Sequence, residues 1–466
     1  MQDRDRLVDA ERGPIRVLHV VSESKEFNQS LVDVIPKAKI KAINYSNLDL
    51  DSIRDQKFDC VIFDHPTDRN VVNIATQIRL ELDIPTIICM SQSFKKRFDG
   101  YEKMSVDAIL PVDVSDEVLM DRILQSVVEN RRHKNRVLEL EILKVLNWRG
   151  NMDETMRRII EIIRHYVDVE AVGIRLQDGL DYPYYSFDGF ADEHILKENH
   201  LCAKNRDGGI LVDSEGKPIL ECMCGNILMG RFDPEKPFFT EGGSFWINST
   251  SKFIGSTTEK DRLTRTRDVC YLEGYESMAL VPIRFEGDIL GLIQLNDKGE
   301  NRYNKEFIVH MEKIAQSIGI VIGGATEHKK LNETMVRYHS IFESIQDPVT
   351  IIDVDDFTII SSNEATHYWA LHHGAKLTSD TCHSLFGGYR MPCEIYGESC
   401  PLLNMMEKEE GATNITVRLD GKGERVYLEE SANPIKNEKG TITGAVLIVR
   451  DITERKLAEQ NLIRFL

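Results

Sequence analysis

The chain has 466 residues, with 58 basic and 76 acidic side chains and a net charge of −18. At ~150 residues per domain this length predicts about three domains, and the negative surplus argues against nucleic acid or an anionic membrane surface as a partner. Met1-Gln-Asp-Arg-Asp-Arg-Leu-Val8 is too polar for the apolar segment of a secretory leader, and no stretch reaches the ~18 uninterrupted apolar residues of a membrane span. A soluble, cytoplasmic protein is expected. In a reducing compartment nine cysteines, an odd number, point to core thiols, metal ligands or redox groups rather than structural disulfides.

Over residues 1–132, Ile15-Arg-Val-Leu-His-Val-Val21, Cys60-Val-Ile-Phe-Asp64 and Thr86-Ile-Ile-Cys-Met90 are apolar runs of strand length, with helix-like segments such as Asn70–Glu81 between them. The alternation predicts a parallel sheet. With Ile109-Leu-Pro111 near its close, this part resembles a response-regulator receiver domain, an α/β fold of flavodoxin-like type. The resemblance places Asp64 where the phosphoacceptor stands. The remainder of that site is depleted: Val21 and Ser22 occupy the acidic-pair region, leaving Glu23, and Pro111-Val112 stands where a lysine is expected. Phosphoryl transfer needs a metal and cations to neutralise developing charge, so the expectation is a degenerate receiver serving as a docking or dimer surface. Residual phosphorylation at Asp64 is the alternative.

Ser115–Trp148 is helix-forming almost throughout, and Val137, Leu138, Ile142, Val145 and Leu146 recur at three- and four-residue steps. Residues 133–150 are therefore expected to be a helical linker, either a plain connector or a signalling helix that pairs with its copy in a homodimer.

In residues 151–325, Thr155–Tyr166 is an amphipathic helix, Glu170-Ala-Val-Gly-Ile-Arg-Leu176 a strand, and Phe307–Ile322 a closing helix. Ser277-Met-Ala-Leu-Val-Pro-Ile-Arg-Phe285 and Ile289-Leu-Gly-Leu-Ile-Gln-Leu-Asn296, separated by Glu286-Gly-Asp288, make a hairpin. This order resembles a GAF domain, an α+β sensor fold. Leu220-Glu-Cys-Met-Cys-Gly-Asn226, Phe238-Phe-Thr-Glu-Gly-Gly-Ser-Phe-Trp246 and Gly274-Tyr-Glu-Ser277 resemble GAF domains of multidomain sensors from anaerobic archaea and bacteria. Cys222 and Cys224, two apart, share a side if extended and can chelate one ion in a turn; Cys202 and Cys270 would complete four sulfurs for zinc or an iron-sulfur cluster. A redox thiol pair, a tetrapyrrole held through Cys, His194 or His200, and thiols that only fill the core are the other readings. Arg262, Arg265 and Arg267 are expected on a solvated helix face rather than beside the thiols, and the Glu241-Gly-Gly-Ser turn is expected to place Phe245 and Trp246 in the core.

A helical linker, 326–340, leads into residues 341–456. There Tyr338-His-Ser-Ile-Phe-Glu-Ser-Ile-Gln-Asp-Pro-Val-Thr-Ile-Ile-Asp353, Ile359-Ile-Ser-Ser-Asn-Glu-Ala365 and Gly444-Ala-Val-Leu-Ile-Val-Arg-Asp-Ile-Thr-Glu-Arg-Lys456 resemble a PAS domain with its C-terminal exit motif. Inside it Cys382-His383, Cys393 and Cys400 resemble the cysteine-bearing PAS domains of anaerobe sensors, with metal or cluster binding, redox switching and structural thiols all open. Pro401 is expected to open a helix capped at Cys400. His367, His372 and His373 are less favoured axial ligands for haem than members of an exposed helix.

Residues 457–466 begin an output helix, and neither an ATP-binding box nor a phosphoacceptor-histidine helix is visible. The expected architecture is thus an α/β receiver-like (flavodoxin-like) domain and two α+β sensor domains, GAF and PAS, joined by long helices. Its expected role is signal transduction without catalysis: redox state or a small ligand is detected and relayed to a histidine kinase or response-regulator protein. The alternative is the input portion of a sensor histidine kinase.

Overall fold

The structure, a computed structural model, describes residues 15–21, 39–44, 47–56, 58–64, 69–91, 105–148, 150–205, 207–372, 380–419 and 424–465. Ser22, Glu23 and His373, singled out from the sequence, lie outside the described residues. The chain divides into two compact units, Met1–Ala325 and Thr326–Leu466.

The first unit begins with a sheet of five parallel strands, β1 (Arg16–Val21), β2 (Lys39–Asn44), β3 (Cys60–Asp64), β4 (Thr86–Met90) and β5 (Ala108–Pro111), in the order β2-β1-β3-β4-β5. That order is one of the two common doubly wound arrangements, the flavodoxin-like one. Both faces are covered, which is why the strands read as unbroken apolar runs. Val17, Ile62, Ile87 and Cys89 meet Leu119, Ile123 and Val127 on one side. Leu18, Phe63 and Ile88 meet Val71, Ala75 and Ile78 on the other.

Leu119, Ile123 and Val127 belong to a 31-residue helix, Asp116–Leu146, whose N-cap Ser115 accepts a hydrogen bond from the Val118 amide. Further along it, Leu138 and Ile142 are 2% and 1% exposed and join the core of the next domain. These two seam positions are therefore covered within the chain rather than left open for a second copy.

The second sheet is antiparallel: β6 (Ala171–Leu176), β7 (Tyr184–Asp188), β8 (Phe245–Ile247), β9 (Ser277–Phe285) and β10 (Asp288–Asp297), ordered β7-β6-β10-β9-β8. The expected hairpin is β9–β10, turning through Glu286 and Gly287, both at positive φ. Period-two alternation divides the sheet into two faces. Val172, Ile174, Val281, Ile283, Ile293 and Leu295 face the helices Met152–Val167 and Lys305–Ser344. Leu280, Leu292 and Tyr184 face the opposite way, onto the helix Cys222–Leu228. Phe245 and Trp246 are buried, as their sequence context implied.

The second unit holds a third antiparallel sheet, β11 (Val349–Asp353), β12 (Ile359–Ser362), β13 (Ala412–Leu419), β14 (Arg425–Lys436) and β15 (Ile442–Asp451), ordered β12-β11-β15-β14-β13. Ile352, Leu428, Ala445 and Leu447 bury against Leu385, Phe386, Leu402 and Met405. At the end of β15, Asp451 accepts the amide of Thr453 at 2.8 Å, and the helix Thr453–Phe465 follows. Among the described residues no helix is long and apolar enough to cross a membrane.

Candidate functional site

In the second domain, Cys222, Cys224 and Cys270 line a cavity of about 40 Å³ together with Glu198, Phe253, Leu280 and Gln294. At the ~10–15 Å³ a water requires, it holds a few waters or a very small ligand and has no room for a tetrapyrrole. Cys222 and Cys224 are neither on an extended segment nor in a simple turn. They open the helix Cys222–Leu228, and Cys222 itself has φ +64°. That left-handed first residue lets two sulfurs spaced two apart reach the same cavity.

Gln294 bridges the thiols. Cys224 donates to its Oε1 at 3.8 Å, and its Nε2 donates to Cys270 Sγ at 4.0 Å and to Asn296 Oδ1 at 3.3 Å. The Tyr184 hydroxyl donates to the same Oε1 at 2.9 Å and stands 3.2 Å from His194 Nε2, while His194 Nδ1 lies 2.6 Å from Glu273 Oε2. A continuous polar chain thus leads from Glu273, whose side chain is 25% exposed, to the buried Cys224 and the half-buried Cys270. Beneath it the fully buried Arg175 donates to the carbonyls of Tyr182 (3.0 Å) and Glu198 (2.6 Å), and its guanidinium lies 3.6 Å over the Tyr184 ring.

Burial pushes all three cavity thiols up, so they are protonated at neutral pH. Glu198 is also raised by burial, against the pull of Arg267 and Arg175, and its Oε1 has no hydrogen-bond partner. Neutral thiols around an unsatisfied carboxyl oxygen suit recognition of a small polar or soft ligand better than nucleophilic attack.

Cys202 does not join this set. It pairs with Leu220 in an isolated bridge, and its thiol donates to the Leu180 carbonyl at 3.2 Å. Burial raises it to about 11. The four-sulfur arrangement expected from the sequence is therefore three sulfurs plus one elsewhere, and among the described residues no group of three or more His, Cys, Asp or Glu converges to hold a metal ion. His194 has both ring nitrogens engaged, and His200 sits on Asp181 at 3.0 Å. Two of the three arginines correct another expectation, while Arg265 is exposed as expected. Arg262 is 8% exposed, with partners Thr257 and Thr266, and Arg267 is paired with Glu221 at 2.9 Å; neither lies on a solvated face.

In the second unit Cys382 is buried in the core, Cys393 opens a short 3-10 turn, Cys393–Tyr396, and Cys400 caps the helix Pro401–Lys408 with Pro401 in its first turn, as expected. Cys393 and Cys400 are both half-buried. His383 Nε2 stands 3.1 Å from Thr381 Oγ1, and burial lowers it below the ordinary histidine range. His367 contacts Ser362 Oγ at 3.2 Å, and His372 contacts the Tyr368 carbonyl at 2.8 Å, both on an exposed helix. In the first domain Asp64 ends β3 with His19 Nε2 at 3.8 Å, and Pro111 ends β5.

Tyr184, Arg175 and Gln294 were not found by reading the sequence. A signal exists for two of them: Arg175 and Gln294 are polar side chains within largely apolar strands, and Leu292, Gln294 and Asn296 share one face by alternation, whereas Tyr184 lies in the mixed run Tyr-Tyr-Ser-Phe-Asp.

Residues 151–322 match the family described as GAF domain, and residues 342–457 match the PAS fold. No curated protein matches the chain. Among solved structures, the chain is similar to a GAF domain of A. aeolicus in an inactive state, at 17% identity over 41% of this chain and 97% of that one, TM-score 0.28. It is similar to the free methionine-R-sulfoxide reductase of Neisseria meningitidis in complex with its substrate, at 11% identity over 42% and 91%, TM-score 0.29. It is also similar to a PAS domain from Colwellia psychrerythraea, at 19% identity over 26% and 98%, TM-score 0.22. The chain carries a GAF domain followed by a PAS domain, the sensory domains of signal-transduction proteins.

Proposed function

We propose that this chain is the sensory part of a two-component pathway: the GAF cavity takes a small ligand, the thiols of both sensor domains report redox state, and helices relay the change to a separate histidine kinase or response regulator. The observation that carries this reading is the convergence of Cys222, Cys224 and Cys270 on one small cavity, tied through Gln294 to Tyr184, His194 and Glu273. Nothing in the strength of the core requires three thiols and a raised carboxyl in the same place.

The N-terminal domain acts in this scheme as a receiver-like docking surface, with Asp64 the residue that would accept phosphate were the site competent. Its strand order and the position of Asp64 at the end of β3 support the likeness. Pro111 at the end of β5 supports a degenerate site.

The chain is proposed to act as a homodimer. Leu331, Met335, Tyr338 and Phe342 follow one another at steps of four, three and four on the helix Lys305–Ser344. Leu331, Met335 and Tyr338 are 61%, 63% and 69% exposed, and this spacing is the seam of a coiled coil. In the second reading the chain is the input portion of a sensor histidine kinase, favoured by the same seam and by the helix Thr453–Phe465 that leads out of the PAS domain.

Anaerobic purification of the full chain, followed by an absorption spectrum, metal analysis and thiol titration with and without oxidant, tests the proposal. Expected are free thiols in the GAF and PAS domains whose number falls reversibly on oxidation, or a bound small molecule or metal that Cys222→Ser and Cys270→Ser lose. A colourless, ligand-free protein whose thiol count does not respond to oxidant would overturn it.

A further inference from the structure

The first unit carries a second, larger recess that shares no lining residue with the thiol cavity. Two cavities, of about 210 and 610 Å³, have Asn135, Asn304 and Glu306 in common and so form one groove. Its walls are the helix Asp116–Leu146 and the start of the helix Lys305–Ser344; Arg16 of β1 and Asp59, just before β3, complete one end. The walls are held in place from within. Leu138 and Ile142 share a core with Ile308 and Met311, His310 Nε2 lies 2.9 Å from the Asn135 carbonyl oxygen, and Arg131 reaches Asp59 at 2.6 Å.

The charge of this groove runs against that of the chain. Eight basic and three acidic side chains line it, in a protein of net charge −18. Four of the cations are engaged: Arg131 with Asp59, Lys134 with Asp83 at 3.3 Å, Arg302 with Asp297 at 3.2 Å, and Arg132 with Glu306 at 3.9 Å. The other four, Arg16, Arg136, Lys305 and Lys313, have no ion pair among the described residues, and of the lining acids Glu139 alone has none there. Like charges that the chain does not offset favour a bound anion.

Size and lining narrow the anion. Small-molecule sites have volumes of about 300–1,000 Å³, and the larger cavity falls inside that range. Cations drawn from three elements suit an anion with more than one charge, and arginine meets phosphate through a planar fork of donors. In the smaller cavity the lining turns aromatic, with Tyr166, Tyr303 and Phe307; the last two stack at 5.8 Å and 11°. Tyr303 is 2% exposed, and its buried hydroxyl has no hydrogen-bond partner.

We propose that this groove binds a nucleoside diphosphate or a similar organic diphosphate. The phosphates lie between Arg136, Lys305 and Lys313, and the ring lies in the smaller cavity against Tyr166 and Phe307. This site goes beyond the thiol reading and is independent of it, so either can fail alone.

The test titrates the reduced full chain calorimetrically with ADP, pyrophosphate and adenosine, without divalent metal and at ~50 mM salt to limit screening. Expected are one saturable ADP site, weaker binding of pyrophosphate and none of adenosine. Raising the salt to ~200 mM is expected to weaken ADP several-fold. Arg136 and Lys313 are exposed, so their replacement leaves the core intact. The double variant Arg136→Glu, Lys313→Glu is expected to weaken ADP more than ~10-fold. Lys217→Glu, an exposed position outside the groove, is expected to leave it unchanged. No saturable ADP binding, or an equal loss in Lys217→Glu and the double variant, would overturn the assignment. Pyrophosphate bound as tightly as ADP would overturn the place given to the ring.

Discussion

Replacing Arg175 with methionine is expected to lower the stability of the first unit by roughly 2–4 kcal/mol, read as a drop in the urea midpoint with an unchanged slope. The side chain is 0% exposed, donates to the carbonyls of Tyr182 and Glu198, and lies over the ring of Tyr184. Methionine fills much of the volume but leaves those carbonyls buried without donors, at ~1–3 kcal/mol each before relaxation. Removing a buried charge returns part of the loss, because the charge itself was costly to desolvate. Arg175→Lys is expected to recover little, since one ammonium cannot reproduce a planar fork that reaches carbonyls on two segments. A midpoint for Arg175→Met equal to that of the parent chain would show that Arg175 is not what holds Tyr184 and the Glu198 backbone beside the thiol cavity.

A pair of glycines on one helix is expected to respond with opposite signs. Gly319 lies on the helix Lys305–Ser344, and a Cβ there would come 2.0 Å from the Arg284 carbonyl oxygen on β9. No rotamer relieves a contact with backbone, so Gly319→Ala must push the helix off the sheet. A loss of roughly 2–4 kcal/mol is expected, well beyond the ~1 kcal/mol that alanine contributes as a better helix former. At Gly324, five residues on, nothing lies within 4 Å of the added methyl. Gly324→Ala is expected to stabilise by roughly 0.5–1 kcal/mol. Chemical unfolding of the two variants checks both; a stabilised Gly319→Ala would show that the helix does not seat on β9 at this point.

The sequence disclosed the elements whose signals are periodic. The β9–β10 hairpin, the amphipathic helix Met152–Val167 and the Cys400-Pro401 helix start were readable because turn, moment and cap each depend on neighbours a few residues apart. Strand β2, Lys39–Asn44, escaped notice. It is an edge strand, and its alternation of lysine and apolar residues lacks the unbroken apolar run that marked its neighbours.

For the site, cysteine spacing suggested a four-sulfur set, yet which sulfur points where depends on Cys222 at positive φ and on Cys202 meeting the Leu180 carbonyl. Neither is encoded in spacing. Two of the arginines were misjudged for a related reason. Arg267 is half-buried against Glu221 and the His200 carbonyl, both tens of residues away, whereas Arg262 is buried on the nearby Thr257 carbonyl and Thr266 hydroxyl, partners that no helix-face pattern announces.

Hydrogen–deuterium exchange on the reduced and the peroxide-treated full chain tests most directly whether thiol state is what this molecule reports. If it is, amides of the helix Cys222–Leu228 beside the thiol cavity, and of the helix Thr453–Phe465, exchange at different rates in the two forms, and the difference vanishes in Cys222→Ser and Cys270→Ser. Identical exchange throughout both forms, with loss of free thiols on oxidation shown, would contradict it.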